Sequence, residues 1–245
     1  MINVSIVSYL NSMPFLYGLE QSGLIGSELN LSRDIPAECA RKLLHNEVDI
    51  GLIPVAVIPH LKENYIISDF CIGADGAVHS VMLYSQVPLE KIEKIYLDYQ
   101  SRTSVKLVQV LAKEYWKINP EFISAEKGFE EKISGTTAAV VIGDRTFELN
   151  NKFPFVFDLP HEWKKMTGMP FVFACWVANK KIPITFINSF NIALAYGVNN
   201  IDKSIEAYQL HNQYSINVAY YLKNNIVYTF GKKQQEVLNL FLSKI

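Results

Sequence analysis

Most of the signatures that announce a cofactor or a nucleophile are missing from this chain. It has no GxGxxG, no GxxxxGK[ST], no HExxH and no GxSxG, so no dinucleotide or nucleotide cradle, zinc-protease helix or nucleophile elbow is written in it. Cysteine is scarce: Cys39, Cys71 and Cys175 are far apart, odd in number and outside any CxxC or Cys/His cluster. That spacing argues against a disulfide framework or a zinc site and reads as buried thiols in a reducing compartment. No metal and no cofactor are expected. An excess of one charge is also lacking, because 23 Lys and Arg stand against 24 Asp and Glu, for a net charge of −1. The basic residues are scattered, which removes the electrostatic footprint of a nucleic-acid binder. No apolar run reaches the roughly 18 residues of a membrane span; the nearest approach is Phe171 to Ala178. The N-terminus passes from Met1 into the strand-like Ile2-Asn3-Val4-Ser5-Ile6-Val7 with no basic segment or cleavage site before it, so a cytoplasmic protein without nucleic-acid or membrane partners is expected.

What the chain does have is apolar mass. Of its 245 residues 49% are hydrophobic and 12% aromatic, enough for one large domain or two small ones. Short apolar runs alternate with stretches of helical period, the pattern of βαβ units around a largely parallel sheet. The spacing predicts strands at Ile2 to Val7, Leu29 to Asp34 and Asp49 to Ile53, with helices at Asn11 to Gln21 and Pro36 to Asn46 between them. Two strands are expected from Tyr65 to Ser85 around Gly73-Ala74-Asp75-Gly76, where the chain would cross between lobes. A second series follows: strands Ile92 to Leu97, Phe122 to Ser124 and Ala138 to Ile142, helices Thr103 to Lys117 and Glu126 to Ile133, and a helix after Gly143. Strands Phe153 to Asp158 and Phe171 to Ala178 flank a helix near Glu162 to Met166, and the chain beyond Pro183 reads as helical throughout. The fold class is therefore α/β with two lobes: residues 1–84 and 175–245 form the first, and residues 85–174 form the second, inserted between them. In such folds a ligand sits between the lobes, against strand ends and helix N-termini.

Two strand-to-helix turns are candidate walls of that cleft. Ser8-Tyr9-Leu10-Asn11-Ser12 follows the first strand, where N–H groups and hydroxyls would suit a carboxylate; a plain helix cap by Asn11 or Ser12 explains the same residues, so the turn needs company. Ser101-Arg102-Thr103-Ser104 supplies it, with three hydroxyls and a guanidinium where one oxygen suffices for a cap. Ser80 lies near the proposed crossing and is favoured over His79, since neighbours in a strand face opposite ways. Gly143 and Asp144 close a strand at a helix start, where Asp144 either caps or faces the cleft. Trp163 and Trp176 are expected in the core.

Taken in order, Val7-Ser8-Tyr9-Leu10-Asn11, Val48-Asp49-Ile50-Gly51-Leu52-Ile53-Pro54, Ser101-Arg102-Thr103-Ser104, Ile142-Gly143-Asp144 and Thr167-Gly168-Met169-Pro170-Phe171-Val172-Phe173-Ala174 resemble the chorismate dehydratase family over essentially the whole chain. The resemblance implies a periplasmic-binding-protein type II-like fold, with mixed sheets flanked by helices, and a lyase of the futalosine route to menaquinone. Such an enzyme removes water from chorismate to give 3-[(1-carboxyvinyl)oxy]benzoate. It implies Asn11 and Ser80 as catalytic residues and Ser8, Tyr9, Ser101, Arg102, Thr103, Ser104, Gly143 and Asp144 as substrate-binding ones. Two anion-cradling turns would match the two carboxylates of chorismate. One departure stands out: Ser12-Met13 precedes Pro14 where Thr followed by Lys or Arg is expected, which leaves charge neutralisation more dependent on Arg102. The rival readings are a solute-binding protein of the same fold, the sister lyase of the same pathway and a ligand-sensing regulator domain. Oligomeric state is not readable.

Overall fold

The computed structural model describes residues 1–149 and 151–245. The chain begins with three parallel strands of one sheet. β1 (Ile2–Val7) and β2 (Leu29–Asp34) are joined through α1 (Met13–Gln21), and α2 (Pro36–Leu44) leads into β3 (Ile50–Pro54). Pro14 and Pro36 fall in the first turns of α1 and α2, where their missing N–H would have had no helical acceptor. β4 (Tyr65–Ala74) extends this sheet, and the link 75–80 then carries the chain to a second sheet.

The second sheet takes β5 (Val81–Ser85), β6 (Lys94–Leu97), β7 (Glu121–Ser124), β8 (Thr137–Ile142) and β9 (Phe155–Asp158) in the order 7-6-8-5-9. β6, β7 and β8 run parallel, and β5 runs antiparallel to β8 and β9. Among its helices are α3 (Thr103–Val110), whose last residue leads into a wider π-turn at Leu111–Trp116, and α4 (Leu159–Thr167). β10 (Phe171–Ala178) then returns to the first sheet and inserts antiparallel between β3 and β4. The remaining elements are α5 (Ile184–Asn199), α6 (Ile201–Ala207), the short α7 (Val218–Tyr220), β11 (Val227–Thr229) and α8 (Lys232–Leu242). The first sheet has the order 11-4-10-3-1-2. Two lobes of mixed sheet flanked by helices, joined by two crossings, are the result.

Three expectations need correction. The crossings fall at 75–80 and 168–170, not at 84/85 and 174/175, because β5 pairs along its length with β8 and β9 while β10 pairs with β4 from Phe171 onward. The helix expected at Glu126 to Ile133 is a single 3-10 turn, Phe129–Lys132, entered through Gly128 at φ +84, a conformation no α-helix contains. The C-terminal part is not wholly helical, since Val227-Tyr228-Thr229 forms β11 and covers the edge of β4. Three β-favouring residues are too few to show a period of two.

The first lobe holds the larger share of the core. Trp176 on β10 packs edge-on against Phe15 of α1 and Phe190 of α5, and Trp163 packs against Phe171 and Phe241, so both tryptophans are core residues. The three cysteines are buried and free. Among the described residues no helix is long and apolar enough to cross a membrane.

Candidate active site

The cleft lies where the C-terminal ends of β1 and β3 meet the ends of β6 and β8. It encloses about 550 Å³ of empty space, part of it open to solvent, between apolar walls that include Val7, Pro54, Ile72, Val78, Ile142 and Phe173. Its polar residues are Tyr9, Asn11, Ser80, Ser101, Arg102, Thr103 and Ser104, with Gly143 beneath. Predominantly apolar walls with a few converging polar groups are the usual form of a small-molecule site.

The first-lobe wall is a 3-10 turn, Leu10–Ser12, wedged between β1 and α1. Ser12 pins it by donating its hydroxyl to the carbonyls of Val7 and Tyr9. Tyr228 on β11 donates to the Asn11 carbonyl at 3.0 Å, which fixes the backbone of Asn11 from behind. The N–H groups of Ser8, Leu10 and Ser12 are all engaged within the protein, on Asp34, Asp144 and Tyr9. This turn therefore offers an anion fewer donors than its residues suggested, the N–H groups of Tyr9 and Asn11 being those without a partner among the described residues. It also offers the side-chain oxygen of Asn11, buried and without a hydrogen-bond partner, a state that costs about 1–3 kcal/mol unless a ligand relieves it.

Ser80 ends the link between lobes, where its main-chain carbonyl accepts the N–H of Gly143 at 2.9 Å. Its hydroxyl meets that of Tyr221 at 2.8 Å, in a buried contact. The link is held by Asp158, whose carboxylate accepts from the N–H groups of Val78 and His79 at 2.8 and 2.7 Å. His79 adopts φ +60 outside any strand and is exposed to solvent, so Ser80 is the cleft residue for a reason other than strand alternation. Burial pushes the Asp158 carboxyl above its usual range, against the pull of these N–H donors.

The second-lobe wall is built on Asp98. Its side chain is fully buried and accepts from the N–H groups of Gln100 (3.0 Å) and Ile142 (2.9 Å) while pairing with Arg145, which tethers the end of β6 to the end of β8. Burial raises the Asp98 carboxyl and Arg145 opposes the rise. The hydroxyls that follow have divided uses. Ser101 accepts the Ser104 N–H at 3.0 Å and so caps α3; Thr103 donates to Phe173 and accepts from Ala56, tying the two lobes. Ser104 lines the cleft with no such partner among the described residues. Arg102 is exposed at the cleft mouth, its guanidinium folded onto the carbonyls of Tyr99 and Ser101 at 3.2 and 2.9 Å. It is the sole basic side chain among the described lining residues. At the start of α3 the first N–H groups have no helical acceptor, which together with Arg102 makes this the more anion-attracting wall.

The lobes touch across the cleft. The Tyr9 hydroxyl donates to the side-chain oxygen of Gln100, and the Leu10 N–H donates to both Asp144 oxygens at 3.1 and 3.2 Å. Gly143 fits under the Tyr9 ring at φ +74; a Cβ there would lie 2.6 Å from the ring. Glycine is thus demanded twice at 143, by backbone conformation and by close approach.

Of the ten residues expected in the site, eight line the cleft. Ser8 sits at the end of β1 outside the lining, and Asp144 lies behind it, engaged by Leu10 and by the Tyr214 hydroxyl at 3.1 Å. Gln100, Tyr214 and Tyr221 are not among those expected from the sequence; Gln100 alone had a signal, its place directly before Ser101.

The lobed architecture and its interlobe cleft belong to the periplasmic-binding-protein class of folds. A protein of Archaeoglobus fulgidus superposes at TM-score 0.77 and 12% identity over 99% of this chain and 96% of that one. A Candida albicans protein described as having the generic periplasmic binding protein fold superposes at TM-score 0.67 and 13% identity over 98% and 90%. Within that class the sequence is more specific. The family model described as menaquinone biosynthesis matches residues 2–245, and the chain belongs to this family. Chorismate dehydratase of Thermus thermophilus is 28% identical over 193 residues, 71% of this chain and 69% of that one; the Campylobacter jejuni chorismate dehydratase is 24% identical over 246 residues, 96% and 94%.

Proposed function

We propose that this protein is a chorismate dehydratase, a hydro-lyase that converts chorismate to 3-[(1-carboxyvinyl)oxy]benzoate and water at the start of the futalosine route to menaquinone. One observation carries the reading beyond family membership. The described lining has one guanidinium and no carboxylate, imidazole or amine, yet holds a buried, unpartnered amide oxygen at Asn11. A site of this composition orients an anionic substrate but has no protein base of its own.

Chorismate suits it because the reaction can be substrate-assisted. The carboxylate of the enolpyruvyl side chain takes the proton from the ring carbon bearing the ether. The electrons of that C–H bond form the new ring double bond as the C–O bond at the adjacent carbon breaks. Hydroxide leaves, takes up the proton that the enolpyruvyl carboxylic acid holds to give water and restore the carboxylate, and the ring becomes aromatic. The protein's part is to hold the side-chain carboxylate over the ring hydrogen and to receive the departing oxygen. Arg102 and the start of α3 bind a carboxylate, Tyr9 closes over the ring, and Asn11 and Ser80 face the hydroxyl that leaves. The reading includes a cytoplasmic location, as the few and scattered cysteines of the sequence lead one to expect.

Incubation of the purified protein with chorismate, followed by ultraviolet absorbance and mass spectrometry, tests the reading. Formation of the enolpyruvyl benzoate with loss of one water supports it. Chorismate binding without product supports a solute-binding protein of the same fold instead.

A further inference from the structure

Tyr221 is a residue that neither the cleft lining nor any motif singles out. It sits at the start of a π-turn, Tyr221–Asn225, is only 3% exposed, and packs its ring edge-on against Phe147 at 5.3 Å between centroids. Its hydroxyl touches the two residues assigned to the leaving group: it lies 2.8 Å from the Ser80 hydroxyl and beside the Asn11 amide. Burial holds its phenol well above the ordinary value, so it keeps its proton and acts as a donor, never as a base.

The contact between the Ser80 and Tyr221 hydroxyls can run either way, and counting donors and acceptors favours one sense. Asn11 turns its oxygen to a place with no protein partner, so the group it presents to Tyr221 is its NH₂, a donor. In the inferred chain the Tyr221 oxygen accepts from that NH₂ and directs its single O–H to the Ser80 oxygen, one of the two senses the 2.8 Å contact allows. Ser80 is then left with an O–H that has no acceptor in the protein. Side by side at the cleft stand one unmet acceptor, Asn11 Oδ1, and one unmet donor, Ser80 Oγ–H. That pair is the complement of an alcohol, which gives one hydrogen bond and receives another.

We infer that Tyr221 is a positioning residue that polarises the chain Asn11–Tyr221–Ser80, so that Ser80 donates to the oxygen of the substrate's ring hydroxyl as it departs and Asn11 accepts from its hydrogen. The inference rests on the dehydratase reading and deepens it: the site selects a substrate with a hydroxyl at this position and protects that oxygen as charge develops on it. Interactions of this kind grow in the transition state and act on kcat more than on ground-state binding.

The test is Tyr221→Phe, which keeps the ring against Phe147 and removes only the hydroxyl. The expected result is a kcat for chorismate about tenfold lower with KM within about twofold, and a Tm lower by only a few degrees, as one lost buried hydrogen bond implies. Combined with Ser80→Ala, the second substitution adds little to the first, because each breaks the same chain. A kcat within twofold of the native protein, or losses that multiply in the double variant, overturns the inference. If Tyr221→Phe does not fold, 3-fluorotyrosine placed at 221 alone retains size and hydroxyl but strengthens the donor; kcat then rises, and no change or a fall overturns the inference. Absence of product with the native protein overturns the dehydratase reading and this inference together, whereas an active native protein with an equally active Tyr221→Phe overturns this inference alone.

Discussion

The turns at 8–12 and 101–104 look alike in sequence and do different work. Each leaves an apolar strand, carries several hydroxyls and enters a helix, and by residue type either one would cradle a carboxylate. In the fold the first turn has its N–H groups at 8, 10 and 12 engaged by the protein, and keeps the N–H groups of Tyr9 and Asn11 and one buried amide oxygen without a partner among the described residues. The second uses two of its hydroxyls for a cap and an interlobe tie, yet retains the guanidinium of Arg102 and the open start of α3. Hydroxyl count is therefore a poor measure of anion binding; what matters is which donors remain unengaged after the fold has formed. On the proposed function one wall attracts charge and the other recognises a neutral oxygen.

The largest effect that separates the walls is expected at Asn11. Asn11→Ala removes the unpartnered oxygen and the donor to Tyr221, and lowers kcat about a hundredfold, in the range for deleting one transition-state hydrogen-bonding group. Stability changes by no more than the loss of one hydrogen bond, because the oxygen makes none in the native protein. Turnover kinetics and a thermal melt on the same preparation check both halves. A variant that loses stability and keeps kcat would reduce Asn11 to a structural residue and erase the distinction between the turns.

A smaller effect is expected on the other wall. Arg102→Ala raises KM for chorismate roughly tenfold with a lesser change in kcat, the loss expected on removing a charge-assisted contact that binds ground and transition states alike. The KM of the native protein rises with added salt, and that of the variant rises less. Ser8→Ala is the matched control in the first turn: Ser8 lies outside the lining, and its substitution leaves both constants within about twofold. A shift in KM at Ser8 equal to that at Arg102 would restore two anion sites.

What could be read in advance divides along the same line. The strand ends and the turns after them were legible because apolar runs such as Ile2 to Val7 and Ala138 to Ile142 are bounded by Ser8 and Gly143, and Pro14 and Pro36 mark helix starts. Eight lining residues follow from those boundaries and from the resemblance they carry. The partners of those residues were not legible. Ser80 meets Tyr221 across 141 positions and Leu10 meets Asp144 across 134; no local period encodes contacts between segments so far apart in the chain. The same holds for β11, whose three residues become a strand only because β4 offers an unpaired edge.

The tie between the two walls gives the smallest and most specific effect. Burial pushes the Asp144 carboxyl up to about 6, against the opposing pull of the Leu10 N–H and the Tyr214 hydroxyl. Its folded value thus lies above the unfolded one of 3.8, so its contribution to stability is full below about pH 4 and is lost as the pH rises through about 6. The loss is on the order of 3 kcal/mol. Asp144→Asn retains an oxygen for Leu10 and cannot ionise, so urea unfolding of the variant is expected to show a flatter stability profile between pH 4 and 7 than the native protein. Asp98 and Asp158 are also raised by burial, but they remain in both proteins and cancel in the difference. Parallel profiles would mean that Asp144 carries no such burden in the folded protein. Turnover separates the possible roles more sharply, since a carboxylate that only ties the lobes can be replaced by an amide at a cost of a fewfold in kcat. Were Asp144→Asn to abolish turnover while chorismate still bound, Asp144 would be the base, and the substrate would no longer be removing its own proton.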